Sequence, residues 1–189
     1  THTRRPGLTS LSYFAAIGLG FMLLEVVLVQ RFVLFLGFPT YALSVVLAAL
    51  LVSSGAGSWL SARSPDARRG LTRALAVAVV LIGLSASGLQ PLLRGLIELP
   101  LGLRLLVAFV VLMPLGFVLG MAMPLGLRRF QALHPTGIAY AWGVNGVASV
   151  LASVLGVAIA VNFGFPAASL AALACYGFAL LHALRGEWA

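Results

Sequence analysis

Charged residues are scarce in this sequence. They make up 8% of the 189 residues, lysine is absent, and only four positions are acidic. Hydrophobic residues account for 61%, and the mean hydropathy of +1.10 lies far above the range of ordinary soluble domains. Several apolar runs are long enough to cross a hydrocarbon core that is roughly 30 Å thick. The composition therefore predicts an integral membrane protein whose main partner is the lipid bilayer.

Cysteine is also rare, since Cys175 is the only one and lies within an apolar run. A single cysteine excludes disulfides and multi-thiolate metal sites within one chain. His2, His134 and His182 are too far apart in sequence to indicate a metal site. The sequence also lacks the HExxH, P-loop and GxSxG patterns. We therefore expect no catalytic residue, no metal and no cofactor in this chain.

Apolar runs separated by clusters of Gly, Pro, Arg and Ser predict six membrane-spanning helices. Their expected bounds are 11–36, 40–62, 71–90, 101–127, 138–161 and 165–184. The predicted fold class is all-α, with a six-helix transmembrane domain over 11–185. We expect residues 1–10 to be an N-terminal tail or linker and residues 186–189 to be a C-terminal tail. Because the chain begins with Thr1 rather than Met, we also expect it to be part of a longer protein.

Arginine is responsible for the formal net charge of +8, and it is distributed unevenly among the predicted loops. Nine arginines fall on the side of the two termini, and three fall on the other side: Arg31, Arg94 and Arg104. Because the cytoplasmic loops of membrane proteins are enriched in basic residues, this pattern predicts that both termini are cytoplasmic. The chain would then be a multi-pass protein of the cell inner membrane. The arginines lie between apolar spans and are not interleaved with aromatic residues, which argues against a nucleic-acid partner.

Glu25 is the polar residue that the apolar surroundings explain least. It lies about fourteen residues into the first predicted helix, near the depth of the bilayer midplane at roughly 1.5 Å per residue. An acidic side chain there costs about 2.5–3.5 kcal/mol, so it usually faces the interior of a bundle. On the fifth predicted helix, Asn145, Ser149 and Ser153 form a polar stripe at a spacing of four. We expect these four residues to form an intramembrane polar site, either functional or serving as glue between helices.

Gln30 and Arg31 have a simpler explanation. A helix over 11–36 would be roughly 39 Å long, about 9 Å longer than the hydrocarbon core. Its outer end would therefore reach the interface, where an arginine can extend its guanidinium group to the lipid headgroups. We expect both residues to be interface anchors rather than contacts to a substrate.

Three stretches of the sequence resemble the C-terminal membrane region of the membrane-bound spermidine synthase-like proteins. They are GLGFMLLEVVLVQRFVLFLGFPTYALSVVLAALLVSSGAGSWLS at 18–61, PLGFVLGMAMPLGLRR at 114–129 and AYAWGVNGVASVLASVLGVAIAVNFGF at 139–165. In that family a soluble, Rossmann-type aminopropyltransferase-like domain is joined to multispanning membrane segments. The resemblance implies that such a cytoplasmic domain precedes Thr1 and holds the residues that bind polyamine and decarboxylated S-adenosylmethionine. This chain would then anchor or couple that domain to the membrane.

A weaker likeness concerns GSWLSARSPDARRG at 57–70, which is similar to the loop between the second and third helices of a major facilitator transporter. Ser61 departs from that pattern, because the first acidic residue of the transporter loop would be expected there. The other interpretation is a solvated cytoplasmic loop that contains Asp66, Arg68 and Arg69.

The transporter likeness supplies an alternative function, in which the chain is half of a carrier for a small solute such as a cationic amine. Glu25 would then pair with the amine inside the membrane. A carrier built from six helices would need a second half or a homodimer.

Overall fold

The computed structural model describes residues 7–186 and residue 188. Within this part of the chain there are five α-helices and no strands, and each helix is long and apolar enough to cross a membrane. The helices are α1 (Leu8–Leu36), α2 (Pro39–Ala62), α3 (Ala67–Gly95), α4 (Leu101–Leu133) and α5 (Ile138–Arg185). The prediction of an all-α protein with several helices that are long and apolar enough to span a membrane is confirmed at this level.

Helix α5 differs from the prediction. The sequence predicted two separate helices over 138–161 and 165–184, whereas the structure has one 48-residue element that is interrupted at Gly164. At roughly 1.5 Å per residue this element contains about 72 Å of helix, more than twice the hydrocarbon thickness. Gly164 has φ 84° and ψ 167°, a conformation that is essentially restricted to glycine. Pro166 follows in the first turn of the second half, where its missing N–H leaves no hydrogen bond unmade.

The two halves of α5 contact α1 in opposite directions. Along the first half the residue numbers rise together, as three neighbouring pairs show: Asn145 with Phe14, Ser149 with Gly18, and Gly156 with Leu23. Along the second half they run against each other, in the pairs Ser169 with Arg31, Tyr176 with Gly20, and His182 with Thr9. The backbone therefore reverses its direction at Gly164, and both halves lie along α1.

Close helix packing depends on small residues, most clearly between α2 and α4. A Cβ atom added to Gly57 would collide with the backbone of Phe117, and one added to Gly120 would collide with the backbone of Ser54. Helix α1 is the most enclosed element, because half of its most apolar 18-residue stretch is buried, whereas only 17% of the corresponding stretch of α5 is buried. The bundle thus consists of an α1–α5 pair and an α2–α4 pair, with α3 in contact with both α4 and α5.

The two ends of the bundle differ in charge. We call one the basic end, which comprises Gly7, residues 63–66, residues 134–137 and Gly186, and the other the opposite end. Seven of the arginines in the described residues lie towards the basic end and three towards the opposite end. Exposed aromatic side chains occur near both ends: Trp59 and Trp142 at the basic end, Phe38 and Phe163 at the opposite end. Such belts are typical of membrane–water interfaces.

Candidate functional site

Asn145 and Ser149 join the first half of α5 to α1. The Asn145 Nδ2 donates a hydrogen bond to the Phe14 carbonyl at 3.0 Å, and the Ser149 hydroxyl donates to the Gly18 carbonyl at 3.3 Å. Gly18 permits this approach, because a Cβ there would lie 2.7 Å from the Asn145 Nδ2. Each of these two carbonyl oxygens has two lone pairs, so it can accept one side-chain hydrogen bond in addition to its helical one.

The other two residues of the expected polar site do not join them. The Ser153 hydroxyl donates to the Val150 carbonyl of its own helix at 2.7 Å. Glu25 is half-buried, and within the described residues its carboxyl makes no hydrogen bond. The pairing of Phe14 with Asn145 places Gly156, rather than Ser153, level with Glu25. The four-residue site therefore reduces to two residues that join α5 to α1.

Two joined cavities lie between the α1–α5 pair and the α2–α4 pair. One has a volume of about 450 Å³ and reaches Gly18, Phe21, Asn145 and Ser149. The other has a volume of about 480 Å³ and continues towards the basic end. They share five lining residues, Leu51, Ser54, Gly120, Met123 and Trp142. We call the two cavities together the groove, and each is within the roughly 300–1,000 Å³ range of ligand pockets.

The groove is mainly apolar and opens on the side of the bundle. Leu51 is 68% exposed and Trp142 is 56% exposed, so these walls face the surroundings rather than a closed interior. The Ser54 hydroxyl donates to the Leu51 carbonyl at 3.2 Å, as Asn145 and Ser149 donate to α1. Because these polar groups are already bonded to backbone carbonyls, the groove suits an apolar ligand better than a hydrated one.

Glu25 lies on the side of α1 that faces the groove, although it does not line either cavity. It follows Gly18 by seven residues and Phe21 by four, spacings that place all three residues on one side of a helix. Its Cα is roughly 6 Å beyond that of Phe21, towards the opposite end. The carboxyl is therefore positioned just beyond the groove.

Arg31 is buried within the protein, so its prediction as an interface anchor is wrong. Its side chain is 4% exposed, and its Nη1 donates to the Ser85 carbonyl at 2.6 Å. Its Nη2 donates to the Ala86 carbonyl at 3.3 Å and to the Ser169 hydroxyl at 3.4 Å. This arginine lies on the side of α1 that faces α3 and the second half of α5. There, backbone oxygens accept the hydrogen bonds that lipid headgroups were expected to accept. Gln30, by contrast, is exposed.

The loop that contains Asp66 has a structural role. The Asp66 carboxylate caps the N-terminus of α3 by accepting the backbone N–H groups of Arg68 and Arg69 at 2.9 and 3.2 Å. It also lies 3.4 Å from the Arg69 Nε. The Arg69 amide, helped by the Arg68 amide and both positive charges, holds the pKa of this carboxyl below its ordinary value. All three side chains are exposed, as a solvated loop requires.

An aromatic cluster at the basic end was not predicted from the sequence. Trp188 is 1% exposed, and its ring centroid lies 4.9 Å from that of Tyr13 and 5.1 Å from that of His182. The Arg129 guanidinium carbon is 4.9 Å from the indole centroid, within the range of a cation–π contact. The His134 Nε2 lies 3.2 Å from the Trp188 carbonyl oxygen.

Trp188 belongs to the stretch 186–189 that was expected to be a tail. Gly186 has φ 76° and ends α5, after which the chain turns and buries the indole against α1 and α5. A glycine stop followed closely by a large apolar residue was the available signal, since such residues often pack back onto the helix that has just ended. Glu187 and Ala189 lie outside the described residues, as do residues 1–6 of the expected N-terminal tail.

Comparisons with protein-family models, curated proteins and solved structures find no match to this chain. The described residues contain no group of three His, Cys, Asp or Glu side chains that could hold a metal ion. What the chain does must therefore be inferred from the groove, the basic end and the sequence itself.

Proposed function

We propose that this chain is the membrane domain of a spermidine synthase-like fusion protein, and that it anchors or couples a cytoplasmic aminopropyltransferase-like domain to the membrane. The three sequence stretches at 18–61, 114–129 and 139–165 support the family, and five long apolar helices supply the membrane embedding. The observation that carries the proposal is the firm attachment of the beginning of α1, where a preceding domain would be connected.

The first turns of α1 are held by two other helices. The Tyr13 hydroxyl donates to the Ala122 carbonyl of α4 at 2.9 Å, and the His182 Nε2 of α5 lies 2.8 Å from the Thr9 carbonyl. Tyr13 and Phe14 are completely buried. Because packed side chains in such a region have few alternative arrangements, a domain joined to α1 would be held in a defined orientation. An anchor that couples two domains requires this kind of connection.

The finer topology is part of the same proposal. The reversal at Gly164 supports six membrane crossings, with α5 contributing two of them. Both termini would then lie on one side, and the arginine excess at the basic end supports the cytoplasmic side of the inner membrane.

Reporter fusions in a bacterial host test this topology. Green fluorescent protein, which becomes fluorescent in the cytoplasm, is fused to either terminus of the full chain, and alkaline phosphatase, which is active outside it, is inserted after Phe163. We expect fluorescence from both terminal fusions and phosphatase activity from the insertion. Fluorescence from only one terminus would indicate five crossings and contradict the proposal.

The coupling itself is tested with a soluble fluorescent domain fused before Thr1. We expect its rotation, measured by the decay of fluorescence anisotropy in lipid nanodiscs, to become faster in Tyr13→Ala. The matched control is Tyr41→Ala, because Tyr41 is 44% exposed at the other end of the bundle. Equal rotation in both variants and in the unmodified chain would exclude rigid coupling and leave simple anchoring.

A second candidate function, a half-transporter for a small amine, is favoured by the position of Glu25. Its carboxyl lies beyond the groove on the same side of α1 and makes no hydrogen bond within the described residues. The test is uptake of labelled spermidine into proteoliposomes by the unmodified chain and by Glu25→Gln. Uptake that disappears in the variant would support transport, whereas equal or absent uptake in both would exclude this role for Glu25.

A further inference from the structure

The groove has space that the chain itself does not fill. Gly55 lines it on α2, and a Cβ atom added to Gly55 would meet no atom within 4 Å. This contrasts with Gly57, two residues later, where an added Cβ would strike the backbone of α4. A groove of about 480 Å³ with apolar walls that opens on the side of the bundle can receive a hydrocarbon chain from the surrounding lipid.

Arg128 stands at the end of the groove that lies towards the basic end. It follows the lining residues Pro124 and Leu127 by four and one positions. Its Nη1 donates to the carbonyls of Ser61 and Ser64, at 3.0 and 3.1 Å. The side chain thus connects the ends of α2 and α4, the two helices that form one wall of the groove, next to the basic end of the groove, which we call the mouth.

A second positive charge is close to the same wall. The Arg63 guanidinium carbon lies 3.6 Å from the centroid of the Trp59 ring, and Trp59 follows the groove residue Gly55 by one helical turn. The acidic residue of this connection, Asp66, is bonded to the α3 amides and to Arg69. The mouth therefore presents net positive charge next to an apolar groove.

We propose that the groove binds one anionic phospholipid from the leaflet at the basic end, with an acyl chain along the apolar walls and the phosphate at Arg128. A guanidinium group offers paired N–H donors that match a phosphate, which makes arginine well suited to this contact. Positive charge near the membrane surface also favours anionic over zwitterionic lipid. A second copy of the chain fits less well, because it would bring its own arginine-rich end against this one.

Native mass spectrometry of the full chain tests this site. The chain is purified in detergent and mixed with phosphatidylglycerol or with phosphatidylcholine of the same acyl chains. We expect one phosphatidylglycerol to remain bound in preference to phosphatidylcholine. Gly55→Leu should remove the bound lipid by filling the groove. Its control is Gly83→Leu on α3, where an added Cβ also meets open space, and this variant should bind as the unmodified chain does.

The headgroup contact is tested separately. Arg128→Gln should weaken phosphatidylglycerol binding by about tenfold, the effect of losing roughly 1.4 kcal/mol, and should remove the preference over phosphatidylcholine. The control Arg94→Gln, at the opposite end, should change neither. Equal binding of both lipids by the unmodified chain, a lipid that survives Gly55→Leu, displacement by inorganic phosphate, or a dimer without lipid would each overturn the proposal.

Discussion

Helix α1 has a closed side and an open side, and they treat polar residues differently. The closed side, with Tyr13, Gly20 and Arg31, is covered by α3, α4 and the second half of α5. The open side includes Phe21, which lines the groove, and Glu25, which lies just beyond it. On the closed side, the Tyr13 hydroxyl and the Arg31 guanidinium group donate hydrogen bonds to backbone or hydroxyl oxygens. On the open side, the Glu25 carboxyl makes no hydrogen bond within the described residues.

Arg31 and Glu25 are six residues apart, and the difference between them follows from helix geometry. Six steps of 100° place their side chains about 240° apart around the helix, so they face different neighbours. In an apolar medium an unpaired polar group is expensive, and the closed side removes that cost by supplying carbonyl oxygens. The closed side therefore holds the bundle together, and the open side remains available for a ligand.

The largest effect is expected at Trp188, which packs against Tyr13 at the end of the closed side. Truncating a buried tryptophan removes its packing and leaves a cavity, so Trp188→Ala should lower the unfolding free energy by about 3–5 kcal/mol. The measurement is equilibrium unfolding in mixed micelles by sodium dodecyl sulfate, followed by circular dichroism.

Trp59→Ala is the matched control for that variant. Trp59 is 62% exposed and makes a cation–π contact with Arg63, so its truncation should change the unfolding free energy by no more than about 1 kcal/mol, the scale of an exposed contact of this kind. If the two variants were equally unstable, Trp188 would not be a packed part of the closed side.

Local features of the sequence predicted most of the fold. The beginning of α4 at Leu101 and the end of α2 at Ala62 agree with the predicted bounds, because Pro, Gly and Arg mark those ends directly. The interruption at Gly164 also falls in the predicted gap between two spans. Helix α3 is longer than the predicted 71–90, since it begins after the Asp66 cap and continues past Pro91.

The candidate site could be predicted only in part, because it depends on how helices are placed against one another. Asn145 and Ser149 do contact α1, but the register of the two helices puts Gly156 rather than Ser153 level with Glu25. The burial of Arg31 depends on α3, which is distant in sequence. The burial of Arg31 therefore cannot be predicted from the spacing of residues within one helix.

Arg31 should give the next largest effect. Hydrogen bonds to a charged group contribute about 1.5–3 kcal/mol, so Arg31→Ala should lower the unfolding free energy by roughly 2 kcal/mol in the same assay. Arg94→Ala provides the comparison at the same end of the bundle. Arg94 is exposed, and its removal should change stability by no more than about 0.5 kcal/mol. A loss as small for Arg31 would mean that its three contacts do not contribute to the stability of the closed side.

The sharpest comparison uses two glycines, Gly20 on the closed side of α1 and Gly55 on α2 in a wall of the groove. A Cβ at Gly20 would lie 2.8 Å from the Tyr176 ring, so Gly20→Ala should destabilise the bundle by about 1–3 kcal/mol through overpacking. A Cβ at Gly55 meets open space in the groove, so Gly55→Ala should be neutral or stabilise the helix by up to about 1 kcal/mol through its higher helix propensity. The same unfolding assay measures both variants. Opposite signs would support the distinction between the closed side of α1 and the groove. Destabilisation of similar size at both positions would remove it, because the groove beside Gly55 would then be as tightly packed as the surroundings of Gly20.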